Sequence, residues 1–232
     1  MNKYKVVFKQ ALIITIPVFL GYMAIGIAFG LMLVTAGYPW WLAPIMSIMI
    51  YAGAGQYVAV PLFATNAGLG EIAMITLLVN SRHIVYGLSL IEKFRNTGIY
   101  KLYMIFALTD ETYGLLTTIQ VENDVNTKHL YFFISFLDHF YWVLGGLIGA
   151  VIGSLLPYDF KGLDFALTAL FIVLLIEQIK KCNSAIPLII SFISAILSFF
   201  LVGKSNMLLI SILISIAGIT IFKGRLTNEK SS

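Results

Sequence analysis

Apolar and polar positions along this chain fall into long blocks, not into the short alternations of a soluble fold. Residues 11–50 contain no Asp, Glu, Lys or Arg, and neither do residues 51–70. Such runs far exceed the roughly 20 apolar residues that cross a bilayer as a helix. Charges and turn residues divide the chain into eight apolar segments, at 11–35, 40–63, 71–91, 101–120, 131–155, 163–179, 185–202 and 205–222. The pattern predicts an all-α polytopic membrane protein, one integral membrane domain over 1–232 with short polar tails. Lys3, Lys5 and Lys9 precede the first apolar run. That run is too long for the apolar core of a signal peptide and lacks a small-residue cleavage site, so it reads as a retained first span.

Composition narrows the class further. Of 232 residues, 59% are apolar and only 11% are charged, against about 25% charged in a typical soluble domain. A soluble enzyme or a nucleic-acid binder is excluded, and the net charge of +4 speaks of topology. Cys182 is the single cysteine, so there is no internal disulfide and no thiolate metal site. No cofactor is implied.

The positive charges discriminate between topologies, because Lys and Arg collect on the cytoplasmic side. Eight full crossings with the N-terminus inside leave nine of the 15 inside and five outside, with Arg82 within a span. If 40–63 and 163–179 instead dip into the membrane and return, twelve lie inside and only Lys128 and Lys204 outside. Six transmembrane spans plus two re-entrant or broken helical segments therefore fit better than seven or eight full spans, with both termini cytoplasmic. Segment 40–63 is interrupted by Pro44, Gly53, Gly55 and Pro61, and broken backbone at membrane depth must be buried in protein or line a cavity. Segment 163–179 has an apolar heart of only twelve residues between Asp164 and Glu177, about 18 Å of helix. The halves 11–120 and 131–222 then each read span, dip, span, span in opposite senses. This is an inverted repeat, which in transporters places the site near the midplane where broken elements meet. Gly26 with Gly30, and Gly145 with Gly149 and Gly153, are spaced for close helix–helix contact.

Charges inside spans are costly and need a reason. The third segment carries Asn80, Ser81, Arg82, His83 and Tyr86 near its centre, and the fourth carries Thr109, Asp110, Glu111, Thr112 and Tyr113. Arg82 lies ten residues before Glu92 and Asp110 nine after Lys101, which puts both about 14–15 Å from the same membrane surface. Arg82 is expected to pair with Asp110 or Glu111, leaving a surplus acid for an ammonium group or a proton. His83 alone reads more readily as a hydrogen-bonded core residue than as a site residue, and Tyr86 and Tyr113 more readily as packing residues with satisfied hydroxyls. The stretch Gly53-Ala54-Gly55-Gln56 could expose backbone N–H groups to an anion, or simply permit a tight helix crossing. Asp138 and His139 are expected in the core or an outer vestibule, and His129 in solvent. No HExxH, P-loop or nucleophile elbow is present, so the chain does not read as an enzyme.

Five stretches together resemble the AzlC family of branched-chain amino acid export proteins: MSIMIYAGAGQYVAV (46–60), EIAMITLLVNSRHIVYGLSL (71–90), LTDETYGL (108–115), WVLGGLIGAVIG (142–153) and LDFALTALFIVLL (163–175). The resemblance runs from about Phe19 to Leu175. Thr168 stands where the family usually has proline, which weakens the expectation of a backbone break in the second dip. The resemblance implies a cytoplasmic-membrane exporter of hydrophobic amino acids that works with a small hydrophobic subunit of the AzlD type. It places weight on Gly53, Gly55, Gln56, Asn80, Arg82, Tyr86, Asp110 and Glu111. A zwitterion with an aliphatic side chain needs an anion site, a cation site and an apolar pocket. Arg82 or the Gly53–Gln56 backbone would take the carboxylate, and Asp110 or Glu111 the ammonium group or a driving proton. Three readings remain open on sequence: a proton-coupled secondary transporter, a solute channel framed by two opposed dips, and a non-transporting membrane subunit.

Overall fold

The long uncharged runs become helices in a computed structural model, which describes residues 3–65, 67–95, 97–119, 127–155, 172, 175, 176, 179, 180 and 185–228. The elements are α1 (Lys3–Thr35), α2 (Leu42–Met49), α3 (Gly53–Ala64), α4 (Leu69–Asn80), α5 (Arg82–Leu90), α6 (Tyr100–Phe106), α7 (Asp110–Thr118), α8 (Thr127–Leu155) and α9 (Ile186–Asn228). Among the described residues there is no strand. The expected second dip at 163–179, with Asp164, Thr168 and Glu177, lies outside the described residues apart from four isolated positions, and Cys182 lies outside them too.

Among the described residues, three helices are long and apolar enough to cross a membrane, at Tyr4–Thr35, Thr127–Leu155 and Ile186–Gly203, and the bent pair Leu69–Asn80 with Arg82–Leu90 makes a fourth if counted as one span. The residues fall into two compact units. One comprises Met1–Asn66 and Val79–Leu163, the other Ala67–Leu78 and Asp164–Ser232.

The first unit is organised on α1 and α8. Their 33 and 29 residues extend about 50 and 44 Å at helical rise. The glycines expected to permit close contact do so. A methyl group on Gly30 would overlap the backbone of Gly146 and Ala150, and one on Gly149 would overlap Ile27. Gly26 and Gly145 face each other less tightly, a Cβ on either standing 3.1 or 3.2 Å from the other's Cα, so the two backbones meet with no side chain between them. Gly153 is only in ordinary contact with Leu31 and Val34, 3.4 Å from where its Cβ would stand. Aromatic rings flank this seam edge to face: Phe8 with Phe133, Phe19 with Tyr141, and Tyr22 with Trp142. Exposed Trp40 and Trp41 follow α1, residues typical of the water–lipid interface.

Breaks in the helices are more numerous than the sequence suggested. The interruption within 40–63 falls at Ile50–Ala52, where Tyr51 takes φ +40°, a conformation that L side chains seldom adopt. The stretches 71–91 and 101–120, read as unbroken spans, are also interrupted. The first breaks at Ser81 and the second at Ala107–Thr109. The reason at the second break is local: the Thr109 hydroxyl accepts the backbone N–H of Thr112 and so starts a new helix, as Ser, Thr, Asp and Asn do at N-caps.

In the second unit, α9 turns sharply at Gly203 (φ 68°, ψ −167°), which divides it where segments 185–202 and 205–222 were separated. Gly218 lies against Ile190, so the two arms fold back on each other.

Candidate functional site

The charged cluster sits at helix starts, not in mid-helix. Arg82 opens α5, and Asp110 and Glu111 open α7. Carboxylates in a first turn are favoured by the helix dipole and by its free N–H groups, so α7 can carry two adjacent acids in an otherwise apolar chain. Arg82 Nη1 donates to Asp110 Oδ2, forming the expected ion pair, with the two side chains 37% and 24% exposed. Arg82 Nε, Asp110 Oδ1 and Asn80 Oδ1 are buried atoms without a hydrogen-bond partner among the described residues. Groups like these cost free energy unless a water or a solute completes them.

The other expected site residues gather around this pair. Asn80 lies over Gly55, and a methyl group at Gly55 would stand 2.9 Å from the Asn80 amide nitrogen. The start of α3 and the end of α4 therefore meet closely at Gly55, where a larger residue would push the Asn80 side chain aside. His83 Nδ1 lies 3.0 Å from the Asn80 carbonyl, a local bond across the break. Tyr86 stacks on Tyr113 with ring centroids 4.5 Å apart, and the Tyr113 hydroxyl meets Ser89. Gly53 faces the Trp142 ring. Gln56 is fully buried and its amide is engaged at both ends. Its Nε2 donates to Ser47 Oγ at 3.3 Å, and its Oε1 accepts Trp142 Nε1–H at 2.8 Å. Gln56 thus ties α3 to α2 and α8.

Glu111, exposed itself, does not share Arg82; it accepts the Tyr22 hydroxyl at 2.8 Å. Behind it lies a second polar cluster that sequence reasoning missed. Tyr22, Thr109, Thr112 and Asp138 are linked by hydrogen bonds, and Asp138 is wholly buried. Asp138 thus belongs to the core, not to a vestibule. His139 stands between the Tyr103 hydroxyl and the Ser47 carbonyl, with Tyr51 against its ring. His129, expected in solvent, is buried at the start of α8, edge-on to Tyr4 and Tyr100. The sequence signals for the second cluster were Thr109 and Thr112 near the centre of one segment and an aspartate a third of the way into another, which do not reveal that they meet one another and Tyr22.

The chain is similar in sequence to known membrane proteins. The AzlC protein family model matches residues 17–156, the range from within α1 to the end of α8, which contains both clusters. A membrane protein of Helicobacter pylori is 37% identical over 97% of this chain and 99% of its own length. The branched-chain amino acid transport protein AzlC of Bacillus subtilis is 36% identical over 91% of this chain and 83% of its own. The inner membrane protein YgaZ of Escherichia coli is 30% identical over 73% and 72%. No solved structure matches. With a family model spanning more than half of the chain and relatives this similar over nearly all of it, the chain belongs to the AzlC family.

Proposed function

We propose that this chain exports branched-chain or other hydrophobic amino acids from the cytoplasm, driven by protons, through a midplane site around Arg82, Asp110 and Glu111. The observation that carries the reading is the ion pair of Arg82 and Asp110 at two helix starts, with Arg82 Nε, Asp110 Oδ1 and Asn80 Oδ1 left uncompleted among the described residues. A zwitterion supplies the missing partners. Its carboxylate fits Arg82 together with the N-terminal end of α3 at Gly53 and Gly55, and its ammonium group fits Asp110 Oδ1 and Asn80 Oδ1. Arg82 and Asp110 compensate each other when the site is empty, so neither charge stands alone at depth. The name of the Bacillus subtilis relative, a branched-chain amino acid transport protein, supports the aliphatic substrate class.

The rest of the reading follows the same logic. The chain resides in the cell membrane with both termini cytoplasmic, crosses it six times and carries two re-entrant segments. Its halves 11–120 and 131–222 are related by inversion. The packing of α1 on α8, the first span of each half, supports that plan. A small AzlD-type subunit completes the transporter.

The test is leucine and valine counterflow in proteoliposomes holding the full chain with its small subunit. Saturable uptake stimulated by internal leucine is expected, and Arg82→Gln or Asp110→Asn abolishes it in protein that still elutes as a single species. Uptake without trans-stimulation would indicate a pore, and full counterflow in Arg82→Gln would remove the site from the mechanism. Cysteine accessibility in the 64–70 and 156–162 connections decides the two re-entrant segments.

A further inference from the structure

Five oxygens run in a line from the surface of the first unit into its core. Glu111 Oε2 accepts Tyr22 Oη at 2.8 Å, and Tyr22 Oη lies 2.6 Å from Thr109 Oγ1. Thr109 Oγ1 lies 3.1 Å from Thr112 Oγ1, which lies 2.8 Å from Asp138 Oδ2. Glu111 is exposed, whereas Thr112 and Asp138 are fully buried. These four hydrogen bonds require four protons, and the three hydroxyls supply three. The line is complete only when one of its two terminal carboxyls carries the fourth. Asp138 Oδ1 has no partner among the described residues, so this carboxyl holds a single hydrogen bond in a site removed from water.

We propose that Asp138 is a second proton-exchanging carboxyl of this protein, wired to Glu111 through the hydroxyls of Tyr22, Thr109 and Thr112. The wire holds one exchangeable proton in two arrangements. With the proton on Asp138, every hydroxyl points toward Glu111. Transfer then moves four protons one step each: Tyr22 to Glu111, Thr109 to Tyr22, Thr112 to Thr109, and Asp138 to Thr112. Four O–H bonds break and four form, Asp138 becomes the carboxylate and Glu111 the acid, and no co-reactant is needed.

The surroundings admit this exchange without supplying a fixed counter-charge. Tyr51, from the α2–α3 connection, and Tyr22, from α1, face Asp138, and Glu111 acts on it from α7. His139, the next residue of α8, is turned to Tyr103 of α6 and to the Ser47 carbonyl of α2. Arg82 is bound to Asp110, the residue before Glu111. Protonation of Glu111 therefore changes the charge beside the substrate pair, which is how the wire would couple to the transport proposed above. Only this last step rests on that reading.

The test is infrared spectroscopy of the full chain in proteoliposomes. The carboxylic acid C=O band that disappears in Asp138→Asn is followed as it shifts on transfer to D₂O. Expected is rapid exchange in the wild type. Tyr22→Phe and Thr112→Val each slow it at least about tenfold, the factor that some 1.4 kcal/mol of added barrier produces. Thr112→Ser, which restores the hydroxyl, exchanges at the wild-type rate. Wild-type exchange in both Tyr22→Phe and Thr112→Val would overturn the wire. So would slowing in Thr112→Val alone, or the lack of any band assignable to Asp138. Tyr22→Phe removes the contacts to Glu111 and Thr109 but leaves the Thr112–Asp138 bond in place, and it carries the test if Thr112→Val does not fold. Leucine counterflow on the same vesicles scores the transport reading separately, since exchange at Asp138 needs no substrate.

Discussion

Gly149 and Gly153 lie one turn apart on the same face of α8, and the structure assigns them opposite tolerances. A Cβ at Gly149 would enter the backbone of Ile27 on α1, whereas one at Gly153 would stand 3.4 Å from Leu31 and Val34 side chains. The Gly149→Ala and Gly153→Ala variants gain the same intrinsic helix propensity, about 1 kcal/mol each. That term cancels in their difference, which isolates the overlap. At Gly149 the obstacle is main chain and has no rotamer to yield, so α1 and α8 must separate along their seam. Overpacking of this kind costs about 1–3 kcal/mol, and the central figure of about 2 kcal/mol corresponds to a roughly thirtyfold change in the folded-to-unfolded ratio. The assay is reversible unfolding in mixed micelles at increasing SDS fraction, with far-ultraviolet circular dichroism as readout. Gly149→Ala should unfold at clearly lower SDS than Gly153→Ala, and Gly153→Ala should match or exceed the wild type. Equal midpoints for the two variants would refute the close approach of the α1 and α8 backbones, and with it the frame that positions both polar clusters.

Other expected outcomes follow from single contacts. Arg82→Gln leaves Asp110 without its cation and should destabilise by about 1–2 kcal/mol, a half-exposed pair lying between surface and fully buried ones. The double variant with Asp110→Asn should recover part of that loss in the same SDS titration. Trp142→Phe removes the N–H donated to Gln56 and strands a buried amide oxygen, a loss of about 1–3 kcal/mol. The added variant Gln56→Met should recover part of it. Thr109→Ala deletes the cap of α7 and should lower stability by about 0.5–2 kcal/mol, whereas Thr109→Ser keeps it, as hydrogen exchange of the first α7 amides would report.

The large features were legible because they depend on pattern alone. Uncharged length announces helices for lipid, and small residues spaced by four announce the seam. Charges of opposite sign equally deep in consecutive segments announce the Arg82–Asp110 pair. Helix breaks at Ser81 and Ala107–Thr109 were not legible, since apolar runs on both sides continue the helical pattern through them. What decides them is a side chain bonding its own backbone, as Thr109 does, and such a bond competes with the helix only in its tertiary setting. The Asp138 cluster was hidden for a related reason. Its members come from α1, α7 and α8, about 90 and 26 positions apart (Tyr22 to Thr112, Thr112 to Asp138), and no local spacing links them. Gln56 stood out in the glycine-rich stretch, but the partners of its amide, Ser47 and Trp142, are visible only in the fold.

The breaks and the polar atoms explain one another. An unbroken helix satisfies its own backbone and leaves a polar side chain in lipid to find a partner at random. A helix start offers free N–H groups and a dipole at a fixed place, and α3, α5 and α7 all begin beside the residues that carry charge or glycine here. Gly55 admits Asn80, Thr109 caps α7, and Tyr51 bends the chain so that its ring meets His139. Each polar side chain is thus held by a backbone interruption that would itself be costly in lipid. Neither feature is stable without the other, so a protein built only to span the membrane would have reason to lose both. Their joint presence is what supports the proposed passage of a polar solute through this region. The same argument forecasts that replacing residues 107–109 by a helix-forming Leu-Ala-Leu would preserve insertion and helix content, raise rigidity around α7, and abolish counterflow together with exchange at Asp138. Retained counterflow in that variant would show that the interruption is incidental.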